Sequence, residues 1–273
     1  MATPVRVVVA GAGGRMGQAL VTAVLADAGL ALAGALDIAG SPEVGRDPGE
    51  RCGRATGITV TTDIASALAT ADVLVDFTRP AGTLSHLAAC ARQRVAAVVG
   101  TTGLTDAENA TLAHHARTIP IMFAANMSVG VNVLLSLVET AARSLGPDFD
   151  IEIVEMHHKH KVDAPSGTAL RLGAAAAAGL GTRLADAAVY AREGVTGERK
   201  PGTIGFATLR GGDVVGEHTV LFAGIGERIE IGHRATSRQN FAAGALRAVH
   251  FVAARRARNE TGLFDMRDVL GLT

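Results

Sequence analysis

Five consecutive side chains, His157, His158, Lys159, His160 and Lys161, are all bases or cations. Like charges crowded together repel, so an anion, a metal ion or a reaction has to account for them. Metal is the weakest of the three. Zinc sites combine spaced histidines with Cys or carboxylate ligands, whereas two lysines here would repel a dication, and Glu152, Glu155 and Asp163 fall at no ligand spacing. A solvated basic loop is the plain alternative. Against it, the run follows an apolar segment and leads straight into DAPSGT (163–168). Pro165 and Ser166 read as a helix entrance, Pro fixing the backbone and Ser suited to capping. A helix start presents free N–H groups and partial positive charge, so Ser166, Gly167 and Thr168 offer donors to an anion. With His158 and Lys161 added, the donors suffice for a small molecule carrying two carboxylates. A histidine beside a lysine also has its pKa pulled down by like charge, which tunes it for proton transfer. The run reads as an anion clamp with an acid built in.

A second chemical signal lies near the start, in GAGGRMG (11–17). A strict G-x-G-x-x-G would need glycine at 16, where Met16 stands; the useful pattern is Gly11, Gly14 and Gly17. Glycines there permit a tight turn, approach of a pyrophosphate to backbone N–H groups, and close packing of helix on strand. In a chain with 33 glycines such a match is weak alone. Its context strengthens it: a strand precedes, a helix follows, and Asp37 ends the next strand about 20 residues on, where an acid binds ribose hydroxyls. The loop and the acid together favour a nicotinamide cofactor. Two later turns at strand ends, Gly100, Thr101 and Thr102, then Ala124, Ala125, Asn126 and Met127, are candidates for its nicotinamide side.

The elements that must position these residues alternate in the first half. Apolar runs at 5–10, 32–36, 73–77, 96–99 and 119–124 read as strands, and 16–28, 80–93 and 106–118 as helices between them. Strands separated by helices of this length imply a parallel sheet covered on both faces. A polar loop fills about 40–57. After about Ser128 the pattern changes to a helix (129–144), a strand (150–156), the basic loop and an alanine-rich helix (166–179). Strand-like runs at 203–210, 214–224 and 227–235 are separated by Gly211–Gly212 and Gly224–Gly226, which suits antiparallel hairpins. A helix at 237–256 belongs back with the first domain. The expected fold is α/β: a Rossmann-type doubly wound parallel sheet, residues 1–127 plus 237–273, interrupted by an α+β domain with a mixed or antiparallel sheet at 128–236.

Composition excludes several classes. Aromatics are 3% of the chain, so base stacking is not expected as a principal activity. The 26 basic and 26 acidic side chains cancel, leaving no global field to draw in nucleic acid or a membrane surface. The apolar stretch 119–138 is interrupted by Pro120, Asn126, Ser128, Gly130 and Asn132 and does not read as a span. Cys52 and Cys90 read as reduced thiols, and the amino-terminal residues lack the pattern of a secretory signal, so a cytoplasmic protein is expected.

EMHHKHKVDAPSGTA (155–169), taken with GAGGRMG, DFTRP (76–80), VGTTG (99–103), FAANMSVGVN (123–132) and GLFDMRDVLG (262–271), resembles the 4-hydroxy-tetrahydrodipicolinate reductase family, also called dihydrodipicolinate reductase. The resemblance spans nearly the whole chain. It implies that NADH or NADPH reduces a cyclic imine dicarboxylate in diaminopimelate and lysine synthesis, with hydride going to ring C4. It implies His157 as proton donor and Lys161 as second catalytic group, with His158, Gly167 and Thr168 on the substrate. Gly11, Ala12, Gly13, Gly14, Arg15 and Met16 would cradle the phosphates, Asp37 the ribose, and the two later turns the nicotinamide. It also implies a homotetramer joined through the second domain's sheets.

One position departs from the pattern. Many members carry a basic residue directly after the acid of the second strand, and here it is Ile38. That suits the free ribose hydroxyls of NADH, while Arg15 and Arg79 remain as compensating charge, so both cofactors are expected with NADH at least as good. Another reductase on the same plan, such as an aspartate or homoserine dehydrogenase, conflicts with the HHKHKVDAPSGT loop. A non-catalytic dinucleotide sensor has no use for a proton donor at His157 and Lys161. Lys159 and His160 stay open between substrate contact and surface.

Overall fold

The computed structural model describes residues 3–237 and 239–272. Arg238, which the sequence leaves open between a hinge and a solvent-facing role, lies outside the described residues. The chain divides into two compact units. One takes residues up to Ser128 and from Gln239 onward, and the other begins at Val129.

In the first unit the β-branched runs become buried parallel strands: β1 (Val5–Ala10), β2 (Leu30–Leu36), β3 (Val60–Thr61), β4 (Val73–Asp76), β5 (Ala96–Val99), β6 (Pro120–Phe123) and β12 (Gly262–Phe264). Their order is β12-β6-β5-β4-β1-β2-β3. Val7, Val8 and Val9 are fully buried, the mark of a strand covered on both faces. The covering helices are α1 (Arg15–Ala26), α2 (Ile64–Leu68), α3 (Pro80–Gln93), α4 (Asp106–His115), α8 (Gln239–Ala257) and the short α9 (Met266–Leu270). Because β1 pairs with β2 on one side and β4 on the other, the chain order reverses at β1. In such sheets ligands lie at the carboxyl ends of the strands flanking that point.

Local chemistry sets the boundaries. Helix α1 stops two residues short of the expected end because the Asp27 carboxylate accepts the Gly29 N–H at 2.8 Å and diverts the backbone into a turn. Helix α3 begins with Pro80 at its first position, where no N–H is needed. Helix α4 opens on a reciprocal cap between Thr105 and Glu108. Helix α8 packs on α1, β4, β5 and β6, as expected. It approaches so closely that a Cβ at Gly244 would lie 1.7 Å from the Met127 carbonyl oxygen.

The second unit contains α5 (Val129–Leu145), β7 (Asp150–His157), α6 (Gly167–Gly179), α7 (Leu184–Ala187), β8 (Ala188–Val189), β9 (Ile204–Arg210), β10 (Gly216–Ala223) and β11 (Arg228–Ala235). Its sheet is mixed, in the order β11-β10-β7-β9-β8. Strands β10 and β11 form the expected hairpin. Strands β9 and β10 do not: β7 lies between them, parallel to β9 and antiparallel to β10. The Gly211–Gly212 turn crosses the end of β7 instead. Gly211 N–H donates to the His157 carbonyl at 3.0 Å, and Lys159 N–H donates to the Gly212 carbonyl at 3.2 Å. Helices α5 and α6 close one face over Ile151, Ile153, Phe206, Val220 and Phe222.

Candidate active site

Strand β7 alternates. Ile151, Ile153, Glu155 and His157 are buried on one face, and the residues between them are more open. The first two continue the apolar core and the last two end it in polar groups. A two-residue step puts side chains on the same face, so Glu155 and His157 meet. His157 Nδ1 lies 2.5 Å from Glu155 Oε2.

Strand register supplies the other members. His157 sits opposite Arg210 on β9, and Glu155 opposite His218 on β10. Arg210 forks onto Glu155, its two terminal nitrogens donating to Oε2 at 2.8 Å and Oε1 at 2.9 Å. Ser166 N–H adds a second bond to Oε1 at 3.0 Å. The His218 ring stands edge-on to His157, centroids 5.1 Å apart, with Nε2 3.0 Å from Ser166 Oγ. Gly216 keeps the far edge of His157 clear, since a Cβ there would fall 2.9 Å from Nε2.

These contacts set the protonation states. Burial alone would raise the Glu155 pKa, but hydrogen bonds from Arg210, His157 and Ser166 outweigh it and hold the group below the ordinary glutamate value. For His157 burial is the largest cause and pushes the pKa down. Glu155 pulls it back up, and Lys161 and Arg210 add to the fall, leaving it below the ordinary histidine value. The direction matches the sequence reading, but the principal cause is desolvation, and like charge is a lesser one. His218 is pushed down to about 4, first by burial and then by His157.

Beyond β7 the chain turns toward α6. Ser166 is the N-cap, its Oγ accepting Ala169 N–H at 3.1 Å. Its own N–H goes to Glu155 and its Oγ also meets His218, so Ser166 is engaged within the fold and is not an open donor to a ligand. Lys161 Nζ lies 2.7 Å from Asp163 Oδ1. That bond first, with a smaller contribution from Gly167 N–H, holds the Asp163 carboxyl below its usual range. His158 is half-buried, and its Nδ1 is buried without a hydrogen-bond partner among the described residues. Lys159 and His160 are exposed. Among the described residues no three His, Cys, Asp or Glu side chains gather as a metal site would require.

The first unit carries the features of a dinucleotide cradle. Gly11 turns with φ +68°, and Gly14 N–H bonds back to its carbonyl at 2.9 Å. A Cβ at Gly17 would lie 2.0 Å from the Gly11 oxygen, so glycine alone lets α1 start so close to the turn. No acid occupies the first turn of α1, leaving Arg15 and Met16 at a helix start open to an anion. Asp37 follows β2 and accepts the N–H groups of Gly13 and Ile38, each at 2.8 Å. Ala12 is buried behind them. Gly100, Thr101 and Thr102 follow β5, and Ala124, Ala125, Asn126 and Met127 follow β6, both at carboxyl ends. Thr101 turns its hydroxyl inward, 2.7 Å from Thr83 Oγ1, above Asp76. Asp76 is fully buried and paired with His86 Nδ1 at 2.7 Å. The set fits a nicotinamide dinucleotide.

Comparison with known proteins agrees along the whole chain. The family model described as dihydrodipicolinate reductase, N-terminus, matches residues 5–127, and the one described as dihydrodipicolinate reductase, C-terminus, matches 130–270. The chain belongs to the dihydrodipicolinate reductase family. It is 59% identical over 267 residues to the 4-hydroxy-tetrahydrodipicolinate reductase of Burkholderia multivorans, covering 98% of this chain and 99% of that one. Against the protein of the same name from Cupriavidus pinatubonensis it is 58% identical over 266 residues, with 97% and 99% covered. Among solved structures, the dipicolinate-bound dihydrodipicolinate reductase from Paenisporosarcina sp. TG-14 superposes with a TM-score of 0.75 at 26% identity, covering 96% and 98% of the two chains.

Within this family member, the structure brings His157, His158, Lys161, Gly167 and Thr168 onto one continuous turn from β7 into α6. Sequence reasoning passed over Glu155, Arg210, His218 and Gly216 as site residues, and Asp76 with His86. For Glu155 a signal existed: the alternation of DIEIVEMH places 151, 153, 155 and 157 on one face.

Proposed function

We propose that this chain uses NADH or NADPH to reduce the dehydrated, cyclic imine form of 4-hydroxy-tetrahydrodipicolinate to tetrahydrodipicolinate, in diaminopimelate and lysine synthesis. The observation that carries the reading is the single turn holding a carboxylate-oriented histidine, His157, two residues from Glu155 and four from Lys161, at the entrance of α6.

In this reading Lys161, His158, Gly167 and Thr168 bind the substrate's carboxylates, with Ser166 fixing the helix start beneath them. His157 delivers the proton. Its Nδ1 is held by Glu155, so Nε2 is the nitrogen that exchanges with substrate. The pKa of His157 lies below the ordinary value in the free protein. Two incoming negative charges raise it again, so the substrate helps to protonate its own acid. Such general acid assistance contributes roughly 10²–10⁴-fold. The phosphates fit on Gly11, Ala12, Gly13, Gly14, Arg15 and Met16, the ribose on Asp37, and the nicotinamide beside the turns 100–102 and 124–127. Bound there, the reduced nicotinamide supplies hydride to ring C4. Ile38 is 76% exposed and uncharged beside Asp37, which favours NADH at least as well as NADPH. The protein works in the cytoplasm as a homotetramer joined through the second unit's sheets.

A coupled assay tests this. Pyruvate, aspartate semialdehyde and the preceding synthase generate the unstable substrate in place, and nicotinamide absorbance is followed. Oxidation that depends on the synthase is expected. Binding of NADH without such oxidation would move the alternative dehydrogenase or the sensor to the front.

A further inference from the structure

The basic run carries two carboxylates from its own chain, and they differ in kind. Glu155 is 1% exposed and bonded on both oxygens. It is a permanent part of the fold. The Asp163 side chain is 53% exposed, and its carboxylate pairs with Lys161 Nζ at 2.7 Å, with weaker pulls from its own N–H and from that of Gly167 at the start of α6. Lys161 is one of the donors that the proposed function assigns to a substrate carboxylate, and Gly167 is another. Resting on that reading, we propose that Asp163 is a resident carboxylate, occupying the substrate's anion position in the free protein and displaced when substrate arrives.

The surroundings make the exchange feasible. Val162 is 98% exposed and Ala164 is exposed, so swinging the Asp163 side chain away uncovers no core. The backbone need not follow, because Arg210 holds the Asp163 carbonyl at 2.6 Å. An exposed ion pair is weak, since water screens it and competes for both partners. Without it Lys161 would add its charge to that of Arg210 beside His157, against the single carboxylate of Glu155. Asp163 therefore keeps the cationic turn ordered until a ligand takes over Lys161. Selectivity follows. A ligand has to present a carboxylate at that point to displace Asp163, and a neutral ester of the same shape leaves the resident group in place.

The test is calorimetric titration of the full-length chain with dipicolinate, a planar dicarboxylate, comparing wild type with Asp163→Asn, Lys161→Ala and the double variant. Asp163→Asn is expected to tighten binding roughly 2- to 5-fold, the range of an exposed ion pair released. Lys161→Ala is expected to weaken it, and the gain from Asp163→Asn to shrink in that background, because Asp163 competes chiefly for Lys161. An equal gain in both backgrounds would mean bulk charge repulsion and overturn the proposal. Weaker binding by Asp163→Asn would make Asp163 a positioning residue and overturn it too. If Lys161→Ala leaves dipicolinate affinity unchanged, the functional reading of the site itself fails, a result distinct from the other two.

Discussion

Glu155 accepts His157 Nδ1 at 2.5 Å while Arg210 grips both of its carboxylate oxygens. The fork matters as much as the hydrogen bond. By holding Glu155 ionised it fixes the proton of a neutral His157 on Nδ1, and it restrains Glu155 from taking that proton outright. Nε2 is then the nitrogen that the proposed proton transfer would use, on the edge that Gly216 leaves open.

Replacing Glu155 with Gln should therefore strike turnover before affinity. The amide cannot hold both Arg210 and the imidazole in this arrangement, so the ring loses its fixed tautomer. The expected loss in kcat is about 10²-fold or more, with NADH affinity unchanged, because the residues proposed to hold the cofactor belong to the other unit. The kcat–pH profile should shift with it, which a purely structural defect would not produce. An unaltered profile and turnover would remove Glu155 from the mechanism. Leaving Arg210 without its partner also costs stability, of the order of 3 kcal/mol, so a thermal melt should accompany the kinetics.

Gly216 offers a narrower probe of the same nitrogen. It begins β10 on the buried face, and a methyl group there would crowd Nε2 at 2.9 Å. Gly216→Ala should lower kcat by roughly an order of magnitude or more, the penalty of a small misplacement at a reacting group. The loss should exceed any change in melting temperature. Full activity in this variant would show that proton transfer does not use that edge of the ring.

Much of this architecture can be read locally, and the missing parts share one cause. Residues 80–93 and 96–99 are legible to the residue because Pro80 marks a helix start and the AAVV run has no polar interruption. The residues proposed for the anion clamp could be picked out because they are neighbours in sequence, although Ser166 among them is engaged within the fold. Arg210 and His218 are not, because they reach Glu155 and His157 only through the pairing of β7 with β9 and β10. That pairing was itself hidden, since Gly211–Gly212 has the composition of a hairpin turn but crosses over β7. The edge strands β3 and β12, two and three residues long, are too short for alternation to register.

Cofactor choice should follow from Asp37 and the residue after it. The Asp37 carboxylate is anchored by Gly13 and Ile38 N–H groups, and the Ile38 side chain brings no positive charge. A 2′-phosphate would meet that acid directly. NADH is expected to bind at least as tightly as NADPH, and Ile38→Arg to improve NADPH affinity about tenfold, one to two charge-assisted contacts' worth. Fluorescence titration with both nucleotides reads this without turnover. A large NADPH preference in the unaltered protein would refute the assignment.

Acid should destabilise the second unit in a particular window. The His218 pKa is about 4 in the folded chain against 6.5 when free. Between those values the unfolded chain binds a proton that the folded chain refuses, so stability falls as pH falls from 6.5 toward 4 and the loss levels off below. Above 6.5 both forms are neutral and the contribution is complete. The difference corresponds to roughly 3 kcal/mol. His157 and His233 are also depressed, chiefly by burial, and add in the same direction. Carboxylates held low by hydrogen bonds, such as Glu155, lose their contribution only at more acid pH, because they start from a lower ordinary value. Urea midpoints measured from pH 7.5 to 4 should fall steeply in wild type, and less than half as far in His218→Gln, whose amide can still reach Ser166 but does not titrate. Equal slopes in the two proteins would assign the acid sensitivity to another group.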